Sequence, residues 1–393
     1  MKVRTEKPRI LIDISVVADG GSETYATGFL DALARRGPDP TLTVLLPAAP
    51  ALAEQAARLR SVGVDLIRAG HSEPGAWRSR VRAQLRLPML VIRRRPAVVF
   101  VPREIVPILT PARMVLLAHN RLAWEAPPAG TTRGGRLSFE LRRLSAIVSA
   151  ARANLVITTT DALRGALPVI AKRKARTIHQ GCDLPAVPVE SKKAGCLHDG
   201  KSLRVAAIGA MSPHKRFDTV IKTVAELRRR GVDVTLDLWG PPGTPDQSEY
   251  LISLSAELLG ENPLRGRYSR ADRRSIYESI DLLMMGSSFE SFGHPMAEAL
   301  RTSCAVVAPA SCLVGELCGD VAITYRESDP VDAADSILAA LPDLAEIAAR
   351  GLARSLDFSW DRCAASTLAL IEYSARRSGR PRLGPCDSGP GHG

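Results

Sequence analysis

The chain has 393 residues with a formal net charge of +12; 45% of them are hydrophobic and only 4% aromatic. That length supports roughly two or three domains with real cores, and so few aromatics argue against a protein that binds nucleic acid by stacking on its bases. No uninterrupted apolar run approaches the ~20 residues of a membrane span, and the seven cysteines, odd in number and without a Cys-x-x-Cys, fit thiols in a reducing cytoplasm better than a disulfide framework or a zinc site.

The first stretch, MKVRTEKPRILIDISVVADGG, runs from basic residues into an apolar segment. Asp13 interrupts that segment and no small-residue cleavage site follows, so a strand is predicted and not a signal peptide. Further strands are predicted at LTVLLP, VDLIRA, AVVFVP, MVLLAH and LVITTT, with helices between them at ETYATGFLDALARR and TRGGRLSFELRRLSAIVSAAR. Strands that alternate with helices predict a parallel, doubly wound sheet. The polar, aperiodic stretch VPVESKKAGCLHDGKS reads as a linker. The pattern then restarts with strands LRVAAIG, VTLDLWG, DLLMMG, CAVVAP and DVAITY, a helix at FDTVIKTVAELRRRG and one long helical stretch over residues 332–350. FSWDRCAASTLALIEYSARR is a final helix, and the Gly/Pro-rich remainder is predicted to be a disordered tail. The expected division is therefore a first domain over residues 1–190, a linker over 191–202, a second domain over 203–358, a helix over 359–377 and a tail over 378–393. Two such halves joined by one linker imply a cleft, with ligands beyond the carboxyl ends of the strands.

Charge is divided unevenly. Residues 1–193 hold 31 Lys and Arg against 15 Asp and Glu, a balance of +16, while the rest hold 22 against 26, a balance of −4. The densest cluster is Arg78, Arg80, Arg82, Arg86, Arg93, Arg94 and Arg95. A solvated face is the plain reading; an anionic acceptor or the surface of an anionic membrane is the sharper one.

Chemistry collects at the predicted strand ends. In SSFESFGHPMAEAL, Glu290 and Glu298 straddle Phe-Gly-His-Pro just after the strand LLMMG. Pro295 suits a first helical position, where its missing N–H costs nothing. Glu290 then sits in the turn and Glu298 in the first helical turn, and the amides of Gly293 and His294 offer an anion site at a positive helix end. The plain alternative is a loop acid and an acid that complements the helix dipole. After LRVAAIG comes AMSPHKRFD, whose Lys215 precedes a helix and suits a diphosphate. Ala-Asp-Gly-Gly-Ser-Glu is a weak glycine turn that opens a helix, and His119 and Asn120 end another strand.

Together, IGAMSPHKRFDTVI, LWGPPG, FESFGHPMAEAL and ASCLVGELCGD make the chain resemble glycosyltransferase family 4, the retaining, metal-independent nucleotide-sugar transferases of the GT-B fold. The Glu-x7-Glu of Glu290 and Glu298 is the most specific part. The resemblance implies an α/β chain of two Rossmann-like, doubly wound domains facing across a cleft, with a C-terminal helix that returns to the first domain. It implies that Glu298 accepts hydrogen bonds from the donor ribose and that Glu290 contacts donor-sugar hydroxyls. Gly293, His294, Pro295 and Met296 would hold the sugar and diphosphate at the helix start. Lys215 would neutralise the leaving diphosphate, with Gly209 and Arg216 in the same donor loop. Gly21 would approach the phosphates from the first domain, His119 would lie near the donor sugar and acceptor, and Tyr268, within residues 264–270, would border the base.

Two departures stand out. Many members carry arginine where this chain has Ala210, and the aspartate that usually follows the histidine is Asn120. The expected activity is hexosyl transfer from a UDP-, GDP- or dTDP-sugar to a hydroxyl of a small-molecule, glycan or lipid-linked acceptor, with a lipid-linked sugar, a phosphorylated cyclitol and a polysaccharide end all left open, in bacterial glycan or antibiotic biosynthesis. No metal or other cofactor is expected, and the expected location is cytoplasmic, with peripheral contact at an anionic membrane left open. The competing readings are a non-catalytic nucleotide-sugar-binding protein, a glycoside hydrolase that uses the two glutamates, and a nucleic-acid binder, for which no recognised module is present.

Overall fold

The computed structural model describes residues 7–16, 20–47, 52–69, 77–107, 109–125, 133–192, 202–287 and 289–376. These form two compact units, the first reaching His179 and resuming at Asp361, the second spanning Gln180–Trp360.

The first unit is built on strands β1 (Ile10–Asp13), β2 (Leu42–Leu46), β3 (Asp65–Arg68), β4 (Val98–Val101), β5 (Arg113–Ala118), β6 (Leu155–Thr158) and β7 (Ala175–Thr177). They pair in parallel in the order β3-β2-β1-β4-β5-β6-β7. The inner strands ILID, VVFV and LVIT are buried along their whole length, as expected where helices cover both faces, whereas DLIR at the edge is half-exposed. The helices are α1 (Gly21–Arg35), α2 (Ala53–Ser61), α3 (Trp77–Arg94), α4 (Arg133–Arg152), α5 (Asp161–Ala166) and α6 (Val169–Lys172). Leu87 and Val91 of α3 and Ala146 and Ala150 of α4 share one core with Val99, Val101, Met114 and Leu116, so these two helices cover the same face of the sheet.

The second unit has β8 (Leu203–Ile208), β9 (Val234–Trp239), β10 (Leu264–Gly266), β11 (Leu282–Met284), β12 (Ala305–Pro309) and β13 (Ile323–Tyr325) in the parallel order β10-β9-β8-β11-β12-β13. Its helices are α7 (Phe217–Arg229), α8 (Pro245–Leu259), α9 (Arg273–Glu278), α10 (His294–Arg301), α11 (Cys312–Cys318), α12 (Pro330–Ala340) and α13 (Leu344–Ser355). α7 buries Phe217, Val220, Ile221, Val224 and Leu227 in a core shared with Ala333, Ala334 and Ile337 of α12. The last helix, α14 (Trp360–Arg376), belongs from Asp361 onward to the first unit. It buries Cys363, Ala364, Leu368 and Ile371 and sets Cys363 and Thr367 against Tyr25 of α1.

Three local expectations change. The stretch over 332–350 is two helices separated by the 3-10 turn Leu341–Asp343, because Pro342 has no N–H to continue the ladder. α10 begins one residue early: Gly293 caps it at φ 79°, which glycine adopts freely, so Pro295 is its second residue and Glu298 lies beyond its first turn. The linker begins as ordered structure, with a 3-10 turn at Val189–Ser191 and a buried Lys192 that donates to the Ile280 carbonyl at 2.6 Å. The rest of that linker up to residue 201, the tail from 377 onward and the side chains of Arg78, Arg80 and Arg82 lie outside the described residues. Of the remaining arginine cluster, Arg94 pairs with Asp65 at 2.9 Å and Arg86 donates to the Arg68 carbonyl at 2.6 Å. No helix among the described residues is long and apolar enough to cross a membrane.

Candidate active site

In each sheet the strand order reverses once, between β1 and β4 and between β8 and β11. The carboxyl ends of those strands form the crevice where open α/β sheets take ligands. The predicted side chains gather at these two places.

In the second unit the loop after β8 lies directly on the sheet edge, and glycines permit it. A Cβ on Gly240 would stand 1.9 Å from the Gly209 oxygen, and one on Gly286 would stand 2.1 Å from the Arg216 oxygen. The loop makes a 3-10 turn at Pro213–Lys215 and then reverses through Arg216, a left-handed residue at φ 51°. This reversal sends adjacent cations apart. Lys215, at the edge of Gly209, forms an ion pair with Glu290 in the loop after β11, both side chains mostly buried. Arg216 turns to Asp218 at 3.1 Å and Ser328 at 2.8 Å, so it does not join Lys215. His214 beside them has its pKa pushed below the ordinary 6.5, by burial first and by the Lys215 charge second.

At the start of α10, Met296 packs under Gly293, and the His294 ring stacks on Trp360 with centroids 6.2 Å apart and meets Phe292 at 5.0 Å. Glu298 is only 4% exposed. One of its oxygens takes a hydrogen bond from Arg273 Nη1 at 2.7 Å, the other from the Tyr277 hydroxyl at 2.8 Å. Burial pushes its carboxyl above the usual range, with Arg273 and Tyr277 opposing. For Arg273 burial works against the charge, but Glu298 and Asp183 outweigh it and raise the pKa. Arginine thus stays charged, and any proton the pair takes up goes to Glu298. Tyr268, edge-on to Trp239 at 6.4 Å, has its phenol pushed up to about 12 by burial and the Glu298 charge.

In the first unit Gly21 opens α1, and the next residue, Ser22, places its hydroxyl 3.0 Å from His119 Nε2 at the end of β5. Glu104 accepts from the backbone N–H of His119 at 3.0 Å and of Asn120 at 2.7 Å, with His119 Nδ1 at 3.8 Å. Asn120 uses its side-chain oxygen to cap the following 3-10 turn, accepting from Leu122 N at 3.1 Å. Behind them Arg103 pairs at 2.7 Å with the fully buried Asp13.

The structure therefore joins Lys215, Gly209 and Glu290, joins Gly293 to Met296 at one helix start, and links Gly21 to His119 through Ser22. Sequence reasoning missed Ser22, Glu104, Arg273 and Tyr277. Ser22 follows the glycine turn directly and carried a signal; Arg273, 25 residues from Glu298, carried none. Among the described residues no three His, Cys, Asp or Glu side chains cluster as a metal would require.

Two Rossmann-like domains with chemistry at the strand ends define a GT-B architecture. Residues 189–348, most of the second unit, match the family described as glycosyl transferases group 1. A D-inositol 3-phosphate glycosyltransferase from Salinispora tropica is 31% identical over 195 residues, covering 44% of this chain and 40% of the relative. The Mycobacterium leprae enzyme of the same name is 26% identical over 251 residues, 58% of this chain and 57% of its own. The chain thus spans less than two thirds of the length of either relative. Among solved structures, Anabaena Alr3699/HepE in complex with UDP and glucose superposes with a TM-score of 0.68 at 17% identity, covering 93% of this chain and all of that one. Sucrose-phosphate synthase from Thermosynechococcus elongatus gives 0.71 at 16%, covering 93% and 98%. At such identities these two establish the fold.

Proposed function

We propose that the protein is a retaining hexosyltransferase that moves a sugar from a nucleotide-sugar to a hydroxyl of a phosphorylated cyclitol. The observation that carries this reading is the Lys215–Glu290 ion pair at the β8/β11 reversal. A donor diphosphate takes the Lys215 ammonium, and the released Glu290 carboxylate turns to the hydroxyls of the sugar. Bond cleavage leaves positive charge on the sugar and negative charge on the diphosphate, so a cation and an acceptor exchanged at this spot serve the transition state directly. The amides at the start of α10 add fixed donors for the phosphates. Glu298 and Arg273 form the wall for the ribose. The departing phosphate oxygen takes the acceptor's proton, so no side-chain base is required and no metal is needed. The phosphorylated cyclitol follows from the names of the relatives and from the basic first half of the chain.

The test is a panel of UDP-, GDP- and dTDP-sugars, with and without an inositol phosphate, read by release of nucleoside diphosphate and by the anomeric configuration of the product. Acceptor-dependent release with retained configuration supports the reading. Donor binding without turnover on any acceptor identifies instead a non-catalytic nucleotide-sugar-binding protein, the reading that Ala210 favours by leaving Lys215 without the usual arginine.

A further inference from the structure

The turn that carries Lys215 holds a second basic residue beside it. His214 and Lys215 close the 3-10 turn Pro213–Lys215 and meet consecutive residues of the loop after β11. The His214 ring stands edge-on to Phe289 with centroids 6.1 Å apart, and Lys215 pairs with Glu290. His214 is exposed to solvent, and its Nε2 lies 3.4 Å from the Ser212 hydroxyl, at the long end of a hydrogen bond. Glu290, the carboxylate whose charge reaches it, is held by Lys215. The imidazole is therefore only weakly committed within the protein.

We propose that His214 is a second cation for the donor diphosphate, taking up a proton as the nucleotide-sugar binds and donating to a phosphate oxygen beside Lys215. This role rests on the reading of the crevice as the donor site. Each phosphate of such a donor bears a negative charge, and Lys215 by itself answers only one of them. Arg216 is held away from Lys215 by Asp218 and Ser328.

A permanent cation at position 214 would press against Lys215 whenever no phosphate stands between them. Histidine avoids that repulsion, because partial burial and, second to it, the Lys215 charge hold its pKa below the ordinary 6.5, with Glu290 opposing. An arriving diphosphate reverses the balance: it engages the Lys215 ammonium and sets its own negative charge against the ring. The charged groups that face His214 are Lys215 from its own turn and Glu290 from the loop after β11; Ser212 and Phe289 carry none. Negative charge on the leaving phosphate grows as the sugar bond breaks, so the imidazolium serves the transition state more than the ground state.

Isothermal titration of UDP-glucose, GDP-mannose and dTDP-glucose into the full chain, in buffers of different ionisation enthalpy, counts the protons taken up with each donor. The phosphates of these probes are diesters that do not titrate near neutrality, so uptake reports the protein. Near pH ~7 wild type should take up ~0.5–1 proton per donor bound, and His214→Gln none. Wild-type affinity should fall ~10- to 100-fold as pH rises from ~6 to ~8, the scale of one hydrogen bond to a charged group. His214→Gln should show the weak affinity at both ends of that range, and His214→Arg the strong affinity at both. Donor binding without proton uptake overturns the proposal. So does uptake, or a pH profile, that His214→Gln leaves in place. Those results leave the donor reading standing, whereas failure of all three probes to bind at any pH removes both.

Discussion

Replacing Glu298 by alanine tests the interior of the second unit most directly. The substitution removes the charge partner of Arg273, whose side chain is 11% exposed, and the acceptor of the Tyr277 hydroxyl. Stranding one member of a buried ion pair costs about 3–5 kcal/mol, and an unsatisfied buried hydroxyl about 1–3 kcal/mol. These losses share one site and do not add. Arg273 also retains Asp183 at 3.8 Å, so the expected cost is about 3–4 kcal/mol. For a unit of this size that lowers its Tm by roughly 6–15 °C. Glu298→Gln keeps an oxygen for either donor and should cost about 1–2 kcal/mol. Arg273→Met with Glu298→Leu removes the charges together and should cost less than Glu298→Ala alone. The assay is urea unfolding followed by circular dichroism and by the fluorescence of Trp239 in the same unit. Glu298→Ala within ~0.5 kcal/mol of wild type, or a double variant worse than the single, refutes the assignment of a buried pair. Nucleotide affinity is then best compared between wild type and Glu298→Gln.

Lys215→Ala should lower kcat by roughly 10²–10³, the scale of one lost oxyanion donor, with a smaller change in donor KM. Arg216→Ala should cost under ~10-fold, because its guanidinium is held by Asp218 and Ser328; steady-state kinetics showing the reverse order would reassign the diphosphate cation. Turnover should persist in excess EDTA, and a loss that Mg²⁺ or Mn²⁺ restores would overturn the metal-free mechanism. Because the folded state disfavours charged His214, its stabilising contribution is present above the ordinary histidine pKa and lost as pH falls below it. Urea midpoints of wild type should therefore fall more steeply than those of His214→Gln between pH ~6.5 and ~5, and parallel slopes would exclude the effect.

Central strands such as VVFV and LVIT were legible in the sequence because a strand covered on both faces is apolar throughout. The two-helix break at Pro342 was missed, because the apolar period on either side of it read as one continuous helix. Gly293 shows why an end can move by one residue: proline prefers a helix start, and a left-handed glycine before it lets the helix begin sooner. At the site, local chemistry marked Lys215, Glu290 and His119, each at a strand end. Their partners were hidden because they arrive from elsewhere in the chain, Arg273 from α9 and Glu104 from the loop after β4. The direction of Arg216 depended on a backbone reversal that composition does not encode.

The helix that closes the first unit is made after the whole of the second. A ribosome emits the whole of β1 to β7, then all of the second unit, before Asp361 and the rest of α14 emerge to cover Tyr25 and meet Arg35. Until then the first unit waits with one flank of α1 uncovered, and its completion depends on a segment synthesised more than 180 residues later. Translation that stops short of α14 would leave two sheets fully specified and the earlier one unsealed, so a segment encoded beyond the second unit governs the survival of the first.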